Sequence, residues 1–258
     1  MILAIANQKG GVGKTTTAIN LATALAAIGE RVLIVDIDPQ GNASTGLGID
    51  RRNRDVSSYD VITGRSSVAE ASVATAVPNL SVVPSTLDLL GVEMEIAGAS
   101  DRAHKLRKAL REGDVGGASY ILIDCPPSLN LLTLNAMAAA DSVLVPLQCE
   151  FFALEGLSQL LQTVEQVRRS LNPALGIQGI VMTMFDGRNN LANQVVDDVR
   201  AHMGDKVYRT IIPRNVRISE APSHGKPAIL YDLKCTGSQA YLQLATEVIQ
   251  RERQLRAA

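Results

Sequence analysis

The sequence lacks long apolar runs and contains little cysteine. No apolar stretch among its 258 residues approaches the length of a membrane-spanning helix. The N-terminus has no basic segment ahead of its apolar one, so we expect neither a signal peptide nor a membrane anchor. The three cysteines, Cys125, Cys149 and Cys235, are odd in number and lack metal-ligand spacing. We therefore expect buried, reduced thiols in a cytoplasmic protein.

Repeats, low-complexity segments and interdomain linkers are also missing, and the net charge is only −1. The charges are unevenly distributed, however. Residues 1–160 hold 12 Lys and Arg against 17 Asp and Glu, whereas residues 161–258 hold 13 against 9. This basic excess is compatible with a surface that faces nucleic acid, and equally with a mixed solvated surface. With 46% apolar residues the chain can bury a core, and we expect one domain over residues 1–258.

The most informative stretch is a glycine-rich segment between a predicted strand, Ile2–Ala6, and a predicted helix. Residues 8–16 are Q-K-G-G-V-G-K-T-T. The glycines allow successive backbone N–H groups to turn toward an anion, and the N-terminus of the following helix presents free N–H groups to the same anion. Lys14 is placed to reach β and γ phosphates, and the Thr15 hydroxyl suits Mg²⁺. The residues predicted to hold a nucleotide here are Lys9, Gly10, Gly11, Val12, Gly13, Lys14, Thr15 and Thr16.

Strand and helix patterns alternate along the rest of the chain. Continuous apolar runs such as Arg31–Asp36 and Tyr120–Asp124 are typical of strands buried on both faces. Residues 41–54 are rich in Gly, Asn, Ser and Thr, which predicts a long mobile loop. Helices are predicted over Thr86–Ala97 and Asp101–Arg111. The alternation predicts an α/β fold with one doubly wound, mainly parallel sheet of about seven or eight strands.

Acidic residues follow two of the predicted strands. Asp36 and Asp38 lie at the end of one strand, and Asp124 ends another. Ligands bind at the carboxyl edge of an open parallel sheet, so these carboxylates should gather around the phosphate loop. Asp124 would hold a metal-bound water, while Thr15 and Asp36 would complete a predicted Mg²⁺ site. The alternatives for the aspartates are strand-end caps or surface salt bridges.

The phosphate loop departs from the usual pattern G-x-x-x-x-G-K-[ST], because Gln8 takes the place of the first glycine and Lys9 follows it. The form K-G-G-x-G-K-T-T resembles the deviant Walker A motif of the ParA/MinD group of P-loop ATPases. Further segments resemble the chromosomal ParA proteins, also called Soj, and the resemblance covers nearly the whole chain. These segments are residues 6–16, 36–42, 123–128, 148–157 and 212–227.

The resemblance implies an ATPase that acts as a switch in chromosome or plasmid partitioning. In that family the ATP-bound protein is a sandwich dimer that binds DNA without sequence preference. ParB, a centromere-binding protein, stimulates ATP hydrolysis and thereby releases the dimer from DNA. Lys9 would then reach the partner's nucleotide, and Asp38, in the segment D-x-D-P-Q, would orient the attacking water. The predicted catalytic residues are therefore Lys9, Lys14 and Asp38; otherwise Lys9 is an ordinary surface lysine.

The resemblance also implies contacts to the base and to DNA. Pro213 and Asn215 match positions where the adenine is held, and Arg188 and Arg217 match positions of DNA-contacting arginines. Both arginines lie in the basic last third of the chain, and non-specific DNA binding needs only phosphate contacts from Lys and Arg. The alternative for each arginine is a solvated surface charge. The resemblance thus predicts a cytoplasmic, nucleoid-associated protein.

Three other kinds of ATPase share parts of this pattern. A MinD-like protein would end in a basic amphipathic helix that lies on lipid, but we expect the apolar stripe of the last helix to pack on the sheet and predict no membrane contact. An Fe–S ATPase needs two suitably placed cysteines per chain, and Cys125 has no evident partner. A phosphate-transferring ligase would need substrate motifs that the sequence lacks. The stripe consists of Tyr241, Leu244, Val248 and Leu255, and the arginines near it are Arg251, Arg253 and Arg256.

Overall fold

The structure is a computed structural model, which describes residues 1–257 and the side chains of residues 1–254. The strands are β1 (Ile2–Ile5), β2 (Val32–Asp36), β3 (Val73–Ala74), β4 (Leu80–Val83), β5 (Tyr120–Asp124), β6 (Ser142–Gln148), β7 (Gly176–Phe185) and β8 (Val207–Pro213). The helices are α1 (Lys14–Ala27), α2 (Asn42–Gly46), α3 (Ser58–Thr63), α4 (Val68–Ala71), α5 (Val92–Glu95), α6 (Lys105–Glu112), α7 (Leu131–Ala139), α8 (Ala153–Ser170), α9 (Asn190–Met203), α10 (Val216–Glu220), α11 (Ala228–Tyr231) and α12 (Thr236–Ala257). Short 3₁₀ turns cover Arg51–Asn53, Leu87–Gly91, Gly204–Lys206 and Ala221–His224.

The strands form an eight-stranded sheet in the spatial order β3-β4-β2-β5-β1-β6-β7-β8. The short strand β3 is antiparallel to β4, and the other neighbouring strands are parallel. Parallel neighbours need crossover connections, which the intervening helices supply. The predicted mainly parallel sheet of seven or eight strands is confirmed.

Helices cover both faces of the sheet, because the central strands are apolar on both sides. Along β1, Ile2 and Ala4 pack into a core with side chains from α3, α6, α7, α8 and α9. Leu3 and Ile5 point to the opposite face, where they pack with α1 and α12. Because successive side chains of β1 point to opposite faces of the sheet, the strand contributes to two separate cores, as a doubly wound sheet requires.

The apolar stripe of α12 packs against the second core, as expected. Tyr241, Leu244 and Val248 are fully buried there. The side chains of Leu255 and Arg256, which belong to the same predicted pattern, lie outside the described residues. No helix in the described part of the chain is long and apolar enough to cross a membrane.

Two local predictions were wrong. Residues 41–54 were expected to form a long loop, but they contain α2 and a 3₁₀ turn, and Ala43, Ser44 and Leu47 are buried. The helix expected over Thr86–Ala97 consists of a 3₁₀ turn followed by the short α5. In the first case tertiary contacts order a segment whose composition is typical of loops.

The strand register brings the predicted acidic positions to one edge of the sheet. Asp36 pairs in register with Asp124 across β2 and β5, and Ile5 pairs with Asp124 across β1 and β5. The phosphate loop follows Ile5 directly. The loop and the acidic residues therefore lie together at the carboxyl edge, as the fold requires of a ligand site.

Candidate nucleotide-binding site

The phosphate loop forms one wall of an open cleft of about 700 Å³. Gly11 and Gly13 have φ angles of +74° and +90°, which a residue with a side chain rarely adopts. Gly13 is also the N-cap of α1, and no side chain caps that helix end. The first N–H groups of α1 are consequently available to an anion in the cleft.

The loop is attached firmly to the neighbouring strands. The Thr183 hydroxyl of β7 donates a 2.8 Å hydrogen bond to the carbonyl of Val12, which is buried. The Asn7 amide donates to the Pro146 carbonyl at 2.8 Å and its oxygen accepts from the Lys9 N–H at 3.0 Å. These bonds fix the loop before any ligand binds, which favours a preformed phosphate site.

Lys14 lines the cleft and is largely buried. Its Nζ donates a 3.1 Å hydrogen bond to the Lys9 carbonyl, so the side chain folds back over the loop. Burial lowers the pKa of Lys14, and the negative charge of Asp124 acts in the opposite direction. Anionic phosphates in the cleft would provide the partner that a buried ammonium needs.

Asp124 is fully buried behind the loop, and neither of its carboxylate oxygens has a hydrogen-bond partner among the described residues. Burial raises the pKa of Asp124 well above its usual range, and the charge of Asp36 adds to the rise, whereas the nearby Thr15 hydroxyl opposes it. A buried carboxylate without a partner is costly unless a cation neutralises it. Asp124 and Thr15 therefore fit a Mg²⁺ ion.

Protein side chains alone do not form a metal cage here. Among the described residues, no group of three or more His, Cys, Asp or Glu side chains could hold a metal ion. Mg²⁺ commonly binds through one or two carboxylates together with substrate phosphates and water. The Asp124 carboxylate, buried without a hydrogen-bond partner beside a phosphate loop, agrees with that mode of binding.

Asp36 and Asp38 differ in their surroundings. Asp36 is fully buried, and its Oδ2 accepts hydrogen bonds from the Ser44 N–H at 2.9 Å and the Ser44 hydroxyl at 2.7 Å. Burial raises the pKa of Asp36 to about 6, while the Ser44 bonds oppose the rise. Asp38 lines the cleft, and its Oδ1 accepts from the Gln40 N–H at 3.0 Å. Asp38 thus faces the ligand space, and Asp36 holds the start of α2.

The other residues predicted to bind the nucleotide fall into those that line the cleft and those that do not. Gly10, Gly11, Gly13, Thr15 and Thr16 line the cleft, and so do Pro213 and Asn215. Lys9 does not line it. The Lys9 ammonium points to the surface and forms an ion pair with Glu150.

The two predicted DNA-binding arginines are exposed and ion-paired. Arg188 donates to Asp186 at 2.7 Å, and its side chain is 91% exposed. Arg217 pairs with Glu220 at 3.0 Å and with Asp232 at 3.6 Å. Exposed pairs of this kind are only weakly stabilising, so phosphate groups can compete for both arginines.

Several cleft residues were not singled out from the sequence. Pro126 and Pro127 lie in a segment that carries the family resemblance, which is the signal that could have identified them. Leu90, Met184 and Tyr241 had no such signal, because they reach the cleft from distant parts of the chain. The expectation of buried cysteines holds for Cys125 and Cys149, whereas Cys235 is only partly buried.

The fold and this cleft define a P-loop nucleotide-binding protein of the deviant Walker A type. Residues 1–177 match a protein family described as "AAA domain". Chromosome partitioning protein ParA of Caulobacter vibrioides is 65% identical over 257 residues, which cover 99% of this chain and 96% of that protein. Sporulation initiation inhibitor protein Soj of Bacillus subtilis is 55% identical over 96% of this chain and 97% of its own. The chain belongs to the ParA/Soj family of chromosome partitioning ATPases.

Solved structures agree with this assignment of the fold. Cobyrinic acid a,c-diamide synthase from Mycobacterium smegmatis, solved with ADP and magnesium, has a TM-score of 0.85 and 36% identity over 98% of this chain and 95% of its own. The cell division ATPase MinD of Pyrococcus furiosus has a TM-score of 0.79 and 30% identity over 96% and 98% of the two chains. The same architecture therefore carries different functions, and the site must decide between them.

Proposed function

We propose that the protein is an ATP-dependent switch for chromosome or plasmid partitioning, formed by one P-loop ATPase domain over residues 1–258. The observation that carries the proposal is the gathering of Lys14, Thr15 and Asp38 around one cleft, with the unpartnered Asp124 behind it, in a chain of the ParA/Soj family. The solved relative with bound ADP and magnesium supports ATP and Mg²⁺ as the ligands.

ATP binding uses residues already placed for it. The N–H groups of the loop and of the α1 N-terminus donate hydrogen bonds to the phosphates, and Lys14 neutralises charge on the β and γ phosphates. Pro213 and Asn215, which also line the cleft, hold the adenine. Thr15 and Asp124 hold Mg²⁺, which supplies further charge neutralisation, and Asp36 supports this region through Ser44.

Hydrolysis requires an oriented water molecule. Asp38 is the side chain for this role, because it is the carboxylate that lines the cleft beside the phosphate loop. The ADP state then lacks the γ phosphate contacts that favour the active conformation. Basal hydrolysis is slow and increases when a ParB-like centromere-binding protein engages the switch.

The ATP-bound state is a homodimer with the two nucleotides at the interface. Lys9 leaves Glu150 and reaches the partner's nucleotide, which makes the dimer dependent on ATP. Two copies of Arg188 and Arg217 then form a joined basic surface for double-stranded DNA, and the protein associates with the nucleoid. Binding is independent of sequence, because the arginines contact phosphates only.

Binding to arbitrary-sequence duplex DNA tests this proposal. The parent protein and an Arg188→Glu/Arg217→Glu variant are compared with ATP, ADP or no nucleotide at two salt concentrations. We expect salt-sensitive binding only with ATP, and its loss in the double variant. Each phosphate contact should contribute about 0.9 to the salt slope.

Arg52→Glu is the matched control, because Arg52 is exposed and pairs with Asp50 in the same way that Arg188 pairs with Asp186. The control changes the charge by the same amount per site and should leave DNA binding intact. An absence of DNA binding in every nucleotide state would overturn the switch mechanism. Sedimentation with lipid vesicles would then test the MinD-like alternative.

A further inference from the structure

Arg54 is a buried cation close to the cleft. It is 6% exposed, although the neighbouring Arg51 and Arg52 are exposed. No carboxylate among the described residues lies within ion-pair distance of it. Arginine is rarely buried in this manner, since desolvating its charge is costly. The contacts of its guanidinium group therefore need an explanation.

The guanidinium joins three separate pieces of backbone. Its Nη1 donates to the Gly41 carbonyl at 3.3 Å and to the Ser85 carbonyl at 3.0 Å. Its Nη2 donates to the Thr45 hydroxyl at 2.8 Å and to the Ile49 carbonyl at 2.7 Å. A planar fork can make these bonds together, whereas the ammonium of a lysine cannot.

These contacts surround the backbone of Asp38. The Asp38 carbonyl accepts hydrogen bonds from the Gly41 N–H at 2.9 Å and from the Ser85 hydroxyl. Gly41 and Ser85 therefore both donate to the Asp38 carbonyl, and their own carbonyls both accept hydrogen bonds from Arg54 Nη1. Arg54 closes a ring of hydrogen bonds around the residue that faces the cleft.

A second chain of bonds ties this ring to the sheet. The Ser85 N–H donates to the Ser44 hydroxyl at 3.1 Å, and that hydroxyl donates to Asp36 at the end of β2. The close packing leaves little room for adjustment. A Cβ atom at Gly41, where φ is +64°, would lie 2.3 Å from Arg54 Nη1 and 3.0 Å from the Ser85 carbonyl oxygen.

We propose that Arg54 is a positioning residue for ATP hydrolysis, which fixes residues 38–49 so that the Asp38 carboxylate faces the attacking water. This inference rests on the proposed role of Asp38. Arg54 itself does not line the cleft. Its effect is on geometry, and a misplacement of about 1 Å in a reacting group can lower the rate by about 100-fold.

The test uses Arg54→Met, which removes the guanidinium, and Arg54→Lys, which keeps only the charge. Thr45→Val removes the hydroxyl that accepts from Arg54 and donates to the Gly41 carbonyl, and it leaves the arginine in place, so it remains informative if the stronger variants unfold. Arg52→Met is the matched control on the exposed side of the same turn. Each variant is made in the full chain, alone and combined with Asp38→Ala.

Two kinds of measurement separate positioning from general stability. Hydrogen exchange without nucleotide should become at least about tenfold faster in residues 38–49 of both Arg54 variants, but not in α1. ATP turnover should show kcat lowered by about tenfold or more, with KM changed less than about threefold. Combined with Asp38→Ala, the Arg54 variants should cause no further loss of kcat, because both act on the same step.

Unchanged exchange in residues 38–49 would overturn the proposal, and so would faster exchange with the parent kcat. Additive losses in the double variants would show that Arg54 acts apart from Asp38. If Asp38→Ala turns over ATP at the parent rate, the proposed role of Asp38 fails, while the exchange data still report on whether Arg54 fixes the segment.

Discussion

Lys9 forms an ion pair with Glu150, which joins the start of the phosphate loop to the segment before α8. Their side chains are 43% and 46% exposed. Gln148 donates a hydrogen bond to the same carboxylate. A pair of this exposure contributes about 0–1 kcal/mol, so Lys9 can leave it at small cost. In the proposed dimer Lys9 must leave Glu150 to reach the partner's nucleotide.

We predict that Glu150→Gln strengthens ATP-dependent dimerisation by up to about fivefold, because it removes the competing partner of Lys9. Sedimentation equilibrium with a non-hydrolysable ATP analogue measures the change. Glu155→Gln is the control, since it removes a nearby exposed charge that has no ion pair among the described residues. A weaker dimer for Glu150→Gln would mean that Glu150 contributes to the dimer rather than restraining Lys9.

Lys14→Ala should weaken ATP binding by about 10- to 100-fold, the loss expected for a charge-assisted hydrogen bond. The ammonium is the buried cation of the cleft, and no other described lysine lines it. Titration calorimetry with the ATP analogue measures the affinity. Lys9→Ala should keep the parent affinity of the monomer, since Lys9 lies outside the cleft. Equal losses in both variants would contradict this division of roles.

The sequence predicted the parts of the site that depend on local pattern. The loop and the ends of β2 and β5 could be located because glycine spacing and apolar runs identify them without tertiary information. The order of residues 41–54 could not be predicted, since it depends on Arg54, Ser44 and Ser85. Ser85 bonds to Ser44 across 41 residues, and no local preference encodes such a contact.

Asp38→Ala should lower ATP turnover by about 100-fold or more while leaving ATP affinity within about threefold of the parent. The side chain reaches the cleft but accepts no hydrogen bond from the phosphate loop among the described residues. Phosphate release and calorimetry measure the two quantities. The variant should also remain on DNA as an ATP-bound dimer. Turnover at the parent rate would show that another group orients the water.

Asp124→Asn should stabilise the nucleotide-free protein by about 1 kcal/mol or more at neutral pH, because burying a neutral amide without a hydrogen-bond partner costs less than burying a carboxylate without one. The raised pKa of Asp124 means that the folded state binds more protons than the unfolded state, so this carboxylate lowers stability as pH rises above the ordinary pKa of an aspartate. The advantage of the variant should therefore grow with pH over that range. Urea unfolding at several pH values measures it.

The same substitution should remove most of the stabilisation that Mg²⁺ and the ATP analogue give the parent, since a neutral amide is a poorer ligand for Mg²⁺. Asp114→Asn is the control, because Asp114 is exposed, and its effect should stay within about 0.5 kcal/mol. Chelating Mg²⁺ should bring the parent close to its nucleotide-free stability and leave Asp124→Asn nearly unchanged. A variant that is less stable than the parent without nucleotide, yet equally stabilised by Mg²⁺ and the analogue, would exclude Asp124 as the metal-binding carboxylate. One substitution can stabilise the nucleotide-free protein and also weaken its stabilisation by Mg²⁺ and the analogue. This combination is expected only of a residue whose unfavourable burial is compensated by a bound cation.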